Sequence, residues 1–510
     1  MSEGTVGGQA APHDATTIPE WIEAMSVAYG DAPCVVSEVD SMSYHELAAQ
    51  SAIVARGLLA RGVGKGARIG LLFGNGTEWV RWWAATARIG ALCVPISTFL
   101  KPAELERVVR HADLHGLVAC RHFLGRDFEQ VVRDAFPQLD DLRFDTALAL
   151  DAAPYLRWIV MDGGNGPWAR DSAWIEEAGA DGKWSTILAR AEREVHTDDE
   201  ALCIYTSGQS SEPKGVVHVQ GAVVAKAHYL RDMYGFDRAT VTDVTMPFFW
   251  VGGLTMALFP TLDAGGITRC TDRSTWGVGA VIGSTNMTAN SLEVFRKVPS
   301  LGMTETLGIY AWGEVFRVDE YPVAAPLDEL QPGFDLLLVD AAGHPLPEGA
   351  VGEILVRGPS VARRLHKVGR AEVFDRDGFY RTGDRGIRHG SRVHFVGRAQ
   401  DMIKTSGANV SPAEVERELL TLDGVVAAHV VALDDEVRDQ IVAAALVLEE
   451  GRSLTVGDVR DALSERLSTY KVPRVVVFLD SIDDVPTTPS MKVRKPELAA
   501  LIDRVRQEEK

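Results

Sequence analysis

Thr206-Ser-Gly-Gln-Ser-Ser-Glu-Pro-Lys214 is entered from the apolar run Ala201-Leu-Cys-Ile-Tyr205 and left through Gly215-Val-Val217. A strand that empties into small hydroxylated residues, a glycine and a lysine offers N–H groups, hydroxyls and one cation to a polyphosphate. The order is not that of a Walker loop, because the lysine comes late, after a proline, and no Lys-Ser/Thr pair opens a helix. Taken alone, the stretch reads as a nucleotide-handling loop or as plain turn punctuation.

The surrounding chain bounds the choice. Its 510 residues are 46% hydrophobic with a net charge of −19, enough for roughly two to four structural units of about 100 to 200 residues each. The acidic balance argues against nonspecific nucleic-acid binding and against a polybasic membrane anchor. Cys34, Cys93, Cys120, Cys203 and Cys270 are scattered, without Cys-x-x-Cys spacing, and read as buried thiols in a reducing compartment. The start, Met1-Ser-Glu-Gly-Thr-Val-Gly-Gly8, has neither a basic n-region nor an apolar h-region. No run reaches the roughly 18 to 20 apolar residues of a membrane span, so a cytoplasmic location is expected.

Tyr44, Leu47, Ala48, Ser51, Val54, Ala55 and Leu58 recur at helical spacing, which predicts an amphipathic helix over 44–59. Strands at 68–73 and 91–96 flank a second predicted helix at 78–89. Strand and helix alternate as in a doubly wound α/β sheet. Residues 170–200 are charged and weakly periodic, and read as a surface excursion. From about 330 to 397, short apolar runs such as Phe334–Val339 and Glu353–Arg357 predict a small β-rich subdomain. Beyond it, 398–510 reads as a compact α+β module: helix 414–422, strands 425–433 and 441–448, helix 456–467. The expected organisation is an N-terminal domain, 1–397, and a C-terminal domain, 398–510.

Four further segments decide the function class: Gly302-Met-Thr-Glu-Thr306, Gly378-Phe-Tyr-Arg-Thr-Gly-Asp384, Gly397-Arg-Ala-Gln-Asp-Met-Ile-Lys404 and Pro486-Thr-Thr-Pro-Ser-Met-Lys492. Together with the 206–214 loop they resemble, in order, the signature segments of the adenylate-forming superfamily. That group holds acyl-CoA synthetases, aryl-CoA ligases, firefly luciferase and the adenylation domains of peptide synthetases. The likeness extends to Ser43-Tyr-His-Glu-Leu47, Gly90-Ala-Leu-Cys-Val-Pro95 and Gly349-Ala-Val-Gly-Glu-Ile354, nearly the whole chain.

The resemblance implies a large α/β domain, a small mobile C-terminal domain, and ATP, Mg²⁺ and coenzyme A as co-substrates and cofactor. It implies that Thr206, Ser207, Gly208 and Lys214 hold the β- and γ-phosphates. Thr304 would donate to the α-phosphate and Glu305, with Thr206, would hold Mg²⁺. Asp384, following Thr382 and Gly383 in a tight turn, and Arg398 would take the ribose, and Gly302 would border the nucleotide. Lys492 would bridge the attacking carboxylate and the α-phosphate, making Lys492, Thr304 and Glu305 the catalytic set. Gln400 falls at the hinge, Gly407 where pantetheine passes close to the backbone, and Trp250 and Gly252 at the mouth of the acyl pocket.

The sequence also departs from the family. Gln209 replaces a hydroxyl residue of the loop, Trp250 stands where many relatives carry a histidine, and Leu301 replaces an aromatic residue before Gly302. Between Gly266 and Gly302 several dozen residues of the usual substrate-binding half are missing; Thr285–Ser291 reads as loop, not as a replacement βα unit. The reading is a carboxylic acid–CoA ligase of fatty-acyl type. Its rivals are a stand-alone enzyme loading a carrier protein and a degenerate homologue that binds nucleotide with little turnover. Partners are the acid, ATP and CoA, not nucleic acid, with a homodimer left open.

Overall fold

Capping boxes start the first two long helices. For α1 (Ile18–Tyr29) the Glu20 carboxylate accepts from the Thr17 N–H at 3.2 Å. For α2 (Tyr44–Ala60) the Ser43 hydroxyl accepts from the Glu46 N–H at 3.1 Å, and the Glu46 carboxylate accepts from the Ser43 N–H at 2.8 Å. Each box satisfies donors that a helix start leaves open, about 1 kcal/mol per cap. The buried positions of α2 include all seven that the spacing predicts.

The structure, a computed structural model, describes residues 12–142, 148–163, 168–206, 213–244, 246–270, 300–312, 325–327, 329–390, 392–398, 402–405, 408–410, 412–435, 438–467, 471–488 and 492–508. They form two units. The first is drawn from Met1–Lys297, Gly302–Tyr310 and Gly358–Val373, the second from Val298–Leu301, Ala311–Arg357 and Phe374–Lys510.

The first unit has two sheets. One contains β1 (Pro33–Val36), β2 (Ser41–Ser43), and two strands from later in the chain, Val241–Val244 and Ile267–Cys270. The larger contains β3 (Arg68–Leu72), β4 (Leu92–Pro95), β5 (Gly116–Cys120), β6 (Trp158–Asp162), β7 (Glu200–Thr206), β8 (Lys214–Val219) and the short strand Arg364–Leu365. Labelling Val241–Val244 β9 and Ile267–Cys270 β10, the small sheet runs β9-β10-β1-β2, and the large one runs Arg364–Leu365, β8-β7-β4-β3-β5-β6. From β7 to β6 all neighbours are parallel, as alternating strands and helices require. The hairpin β7–β8 adds an antiparallel edge.

The core explains the tryptophans. Helix α3 (Thr77–Arg88) buries Trp79, Trp82 and Trp83, with Trp21 of α1 and Phe259 closing the group at ring separations of 6.4 Å for Trp21–Trp83 and 5.2 Å for Trp83–Phe259. The same apolar cluster takes in Val35 of β1 and Ile69 and Leu71 of β3, so it reaches both sheets. A helix apolar on nearly every face is buried for that reason. Arg88, 1% exposed, survives there by donating to Ser51 Oγ at 2.9 Å, the Ala48 carbonyl at 3.1 Å, Glu23 at 2.6 Å and Glu192.

Residues 170–200 lie mostly at the surface, as expected, and form helices Ala173–Ala178 and Lys183–Arg193 that the sequence reading did not foresee. Each buries a single large apolar residue, Ile175 or Leu188, too few to leave a periodic signal. The thiols of Cys34, Cys93, Cys203 and Cys270 are buried and unbridged, and burial raises that of Cys34 to about 12.

The second unit holds β11 (Asp335–Val339), β12 (Val351–Arg357), β13 (Tyr380–His389) and β14 (Arg392–Arg398) in an antiparallel sheet extended by Ala325–Leu327. It also holds the C-terminal sheet, built on β15 (Val425–Asp435), β16 (Asp439–Leu448) and β17 (Val475–Leu479), with helices at Pro412–Leu419, Val456–Ser464 and Lys495–Glu508. The strand β17, parallel to β16, and the last helix were not expected from the sequence.

Candidate active site

In the first unit the 206–214 stretch is flanked by two antiparallel strands. Thr206 ends β7 and Lys214 begins β8, and the two are register partners. Ser207, Gly208 and Gln209 lie outside the described residues. Thr304 and Glu305 arrive on a single 3₁₀ turn, Thr304–Thr306, ended by Leu307 at φ +51°.

That turn is fixed from several sides. The Thr306 hydroxyl bonds the Met303 carbonyl at 3.1 Å and the Gly308 carbonyl at 2.7 Å, the Ala362 N–H donates to the Glu305 carbonyl at 2.7 Å, and Ser360 Oγ donates to the Thr306 carbonyl at 3.1 Å. Gly302 supplies a close approach, since a Cβ there would meet the Gly308 carbonyl carbon at 2.8 Å. Glu305 is 6% exposed, and its carboxylate pairs with the Lys214 ammonium. The two residues expected to hold phosphate and cation are therefore brought together.

One member of the cluster was missed by the sequence reading. His218 is fully buried, and its Nε2 lies 2.8 Å from the Thr304 carbonyl. Burial lowers its pKa to about 4, against opposing contributions from the Thr304 bond and Glu305, so the imidazole is neutral near pH 7. A carbonyl only accepts, so Nε2 carries the proton, while Nδ1 has no partner among the described residues. The signal was available: in a strand, residues four apart share a face, and Lys214 and His218 are four apart on β8.

Trp250 sits before the short helical turn Val251–Gly253. Its ring is 5.5 Å from Phe249 and 5.8 Å from Phe99, and Phe99 is 5.6 Å from Phe249. Gly252 admits Met246, whose sulfur would lie 2.5 Å from a Cβ there. The segment reaches the Met-Thr-Glu turn through Thr255, whose hydroxyl would meet a Cβ on Gly308 at 2.7 Å.

In the second unit Asp384, 3% exposed, is the register partner of Arg398 across β13 and β14. The tight turn expected around Thr382-Gly383-Asp384 is instead a bulge inside a continuous strand. Opposite β12, Glu353 pairs Arg385 while Leu355 pairs Arg381, and Gly383 takes φ +73°. Thr382 pins the bulge, donating to the Ile354 carbonyl at 2.6 Å and accepting from the Asp384 N–H at 3.0 Å. Lys492 is exposed, on a loop closed by the Thr488 N–H to its carbonyl at 2.8 Å. Gln400 and Gly407 lie outside the described residues.

With this geometry in place, comparison with known proteins gives the class. Residues 22–276 match the AMP-binding enzyme family and 414–492 match the AMP-binding enzyme C-terminal domain. The chain belongs to the AMP-binding enzyme family, the adenylate-forming superfamily. It is 28% identical over 532 positions to an indoleacetate–CoA ligase of Aromatoleum aromaticum, covering 96% of this chain and 98% of that one. To a mitochondrial medium-chain acyl-CoA ligase of Danio rerio it is 24% identical, covering 96% and 89%. Its fold matches ATP-bound MatB from Rhodopseudomonas palustris at a TM-score of 0.72 and 24% identity, covering 92% and 96%. The indoleacetate ligase alignment is longer than the 510-residue chain, so that relative carries residues with no counterpart here. No helix among the described residues is long and apolar enough to cross a membrane.

Proposed function

We propose that the protein is an ATP-dependent carboxylic acid–CoA ligase of fatty-acyl type. The acid and ATP give acyl-adenylate and pyrophosphate, and CoA then displaces AMP to give the thioester. The observation that carries this reading is the convergence of Lys214, Thr304 and Glu305 on one rigid turn beside the mouth of the 206–214 loop. Preorganised charge at that point is what transfer at phosphorus needs.

In this reading Lys214 leaves Glu305 for the β- and γ-phosphates, and the hydroxyl of Thr304 donates to the α-phosphate. The buried Glu305 carboxylate suits Mg²⁺, a hard ion that takes one or two protein oxygens and completes its shell with phosphate and water. Among the described residues no three His, Cys, Asp or Glu side chains form a metal cluster, in keeping with a cation that arrives with the nucleotide. Glu305, with Thr206, would hold it, and its chemistry is to neutralise phosphate charge. Asp384 and Arg398 fix the ribose. Lys492 stabilises charge as the carboxylate attacks, and a C-terminal domain spanning 398–510 then turns about Gln400, letting pantetheine pass Gly407.

A second reading of the acid, an aryl or arylacetic acid, is favoured by the contiguous rings of Phe99, Phe249 and Trp250 and by the likeness to an indoleacetate–CoA ligase. Offset and edge-on ring contacts reward an aromatic guest beyond its buried area. A panel of fatty, benzoic and arylacetic acids scored by pyrophosphate release, repeated for AMP release with and without CoA, decides both questions. Turnover that needs a carrier protein instead of CoA, or none with any acid, would reject the ligase reading.

A further inference from the structure

The edge of the seven-stranded sheet opposite the phosphate loop carries a row of basic residues. The register Ile69↔Gly116 and Gly116↔Trp158 across the parallel strands β3, β5 and β6 sets Arg68, His115 and Arg157 side by side, one residue before each. The ladder runs through them: the His115 N–H donates to the Arg68 carbonyl at 2.8 Å and the Arg157 N–H to the His115 carbonyl at 2.9 Å. Neighbouring strands are about 4.8 Å apart, so the row is about 10 Å wide. These three side chains, with Asp113 and Tyr155, line a cleft of about 400 Å³.

In a chain of net charge −19, two guanidinium groups and an imidazole in one cleft need a reason. The carboxylate present, Asp113, is shared among Lys367 at 2.8 Å, His366 at 3.3 Å and Arg68 at 3.8 Å, so it offsets only part of the charge of the row. Arg68 keeps a buried Nε with no partner among the described residues. Arg157 is exposed and donates from Nη1 to the Pro154 carbonyl of its own loop at 2.7 Å, so its fork is held over the cleft by local backbone.

We propose that this cleft is a second anion site that takes a diphosphate-bearing small molecule. Two planar guanidinium forks separated by an imidazole offer donors to two adjacent phosphate groups, where one phosphate would reach only half of the row. Arg68, His115 and Arg157 stand at the N-terminal ends of parallel strands, whereas the phosphate loop leaves the C-terminal end of β7. Asp113 ties the cleft toward that loop through His366, whose N–H donates to the Gly215 carbonyl at 2.7 Å, and none of the three basic residues belongs to the candidate active site.

Calorimetric titration of pyrophosphate into the full chain without Mg²⁺ tests the assignment, using the wild type, Lys214→Ala and Arg157→Gln. Binding should persist in Lys214→Ala and weaken about tenfold in Arg157→Gln, the scale of one lost charge-assisted fork. Adenylation by Arg157→Gln should match the wild type. Parallel titrations with ADP, CoA and inorganic phosphate identify the source: competition by ADP or CoA means a diphosphate carried on a nucleotide, and binding of pyrophosphate alone means the inorganic ion. Loss of all binding in Lys214→Ala, or binding untouched by Arg157→Gln, would overturn the proposal.

Discussion

The Lys214 ammonium and the Glu305 carboxylate are bound to each other, the lysine side chain 33% exposed and the glutamate 8%. In the proposed reading each thereby occupies the position that nucleotide and cation would claim, and ligand binding would exchange one set of ionic contacts for another instead of desolvating bare charges. The pair is held ready by backbone bonds on the Glu305 side and by the β7–β8 hairpin on the Lys214 side.

Lys214→Ala removes the Lys214 ammonium from the buried Glu305 carboxylate. Adenylation should fall by about two orders of magnitude, the scale of one preorganised charge donor. Stability should fall by about 1 to 2 kcal/mol, less than for a fully buried pair because the lysine is partly solvated. In a double-mutant cycle with Glu305→Ala, measured by urea unfolding, the coupling should exceed about 0.5 kcal/mol. Strict additivity would mean that the pair does not organise the site.

His218 acts on Thr304 through a carbonyl, which makes it a positioning residue. His218→Gln keeps an N–H donor and should retain most of kcat, whereas His218→Leu should lose about tenfold in kcat with less change in KM for ATP, a bond of about 1.5 kcal/mol. Equal losses in the two variants would show that only volume matters there.

The same histidine fixes a pH dependence. Its folded pKa of about 4 lies below the unfolded value of 6.5. Between those limits the unfolded chain binds the proton and the folded one does not, so stability declines as pH falls from 6.5 to 4 and is steady with respect to this group above and below that window. His366, lowered to about 4 mainly by burial and then by Arg364 and Arg68, adds in the same direction. Unfolding free energies at pH 7 and pH 5 should therefore differ by a kcal/mol or more in the wild type, on the order of 1.4 kcal/mol per pKa unit per group, and by less in His218→Gln.

Much of this was legible beforehand because it rests on local rules. The helical spacing from Tyr44 to Leu58 and the strand that leads into the loop at Thr206 are sequence-local, and the structure has the corresponding helix and strand. What escaped depends on tertiary neighbours. His218 looks like an ordinary strand residue until Thr304, 86 positions away, settles on its Nε2. The Asp384 bulge reads as a turn because Thr-Gly-Asp is turn-like in isolation, and only pairing with both β12 and β14 holds it in a strand.

Lys492 is exposed in the second unit, and the proposed cycle has it serve adenylation alone. Lys492→Ala should lower adenylate formation a hundredfold or more, about 3 kcal/mol, while thioester synthesis from supplied acyl-adenylate and CoA continues. Single-turnover measurement of each half-reaction decides it, and equal losses in both would refute a two-conformation cycle.

If, as the sequence reading expects, the stretch between Gly266 and Gly302 is shortened, the consequence bears on activity more than on fold. The AMP-binding match ends at residue 276, inside that stretch, and the aligned indoleacetate ligase carries residues with no counterpart in this chain. Among the described residues, β9 is an outer strand of its sheet, paired with β10 alone. Loss of pocket wall removes apolar area that an acyl group would bury, at about 25 cal/mol per Å², and a lost 100 Å² costs about 2.5 kcal/mol of substrate binding. The proposed phosphate and ribose contacts, Lys214, Thr304, Asp384 and Arg398, lie outside the stretch. ATP·Mg²⁺ should therefore bind with ordinary affinity in calorimetry while KM for the acid is high, and inserting the corresponding segment of a longer relative should lower that KM without moving the ATP affinity. Absence of ATP binding would place the defect in the nucleotide site instead, and a low KM in the unmodified chain would mean that residues 267–301 already complete the wall.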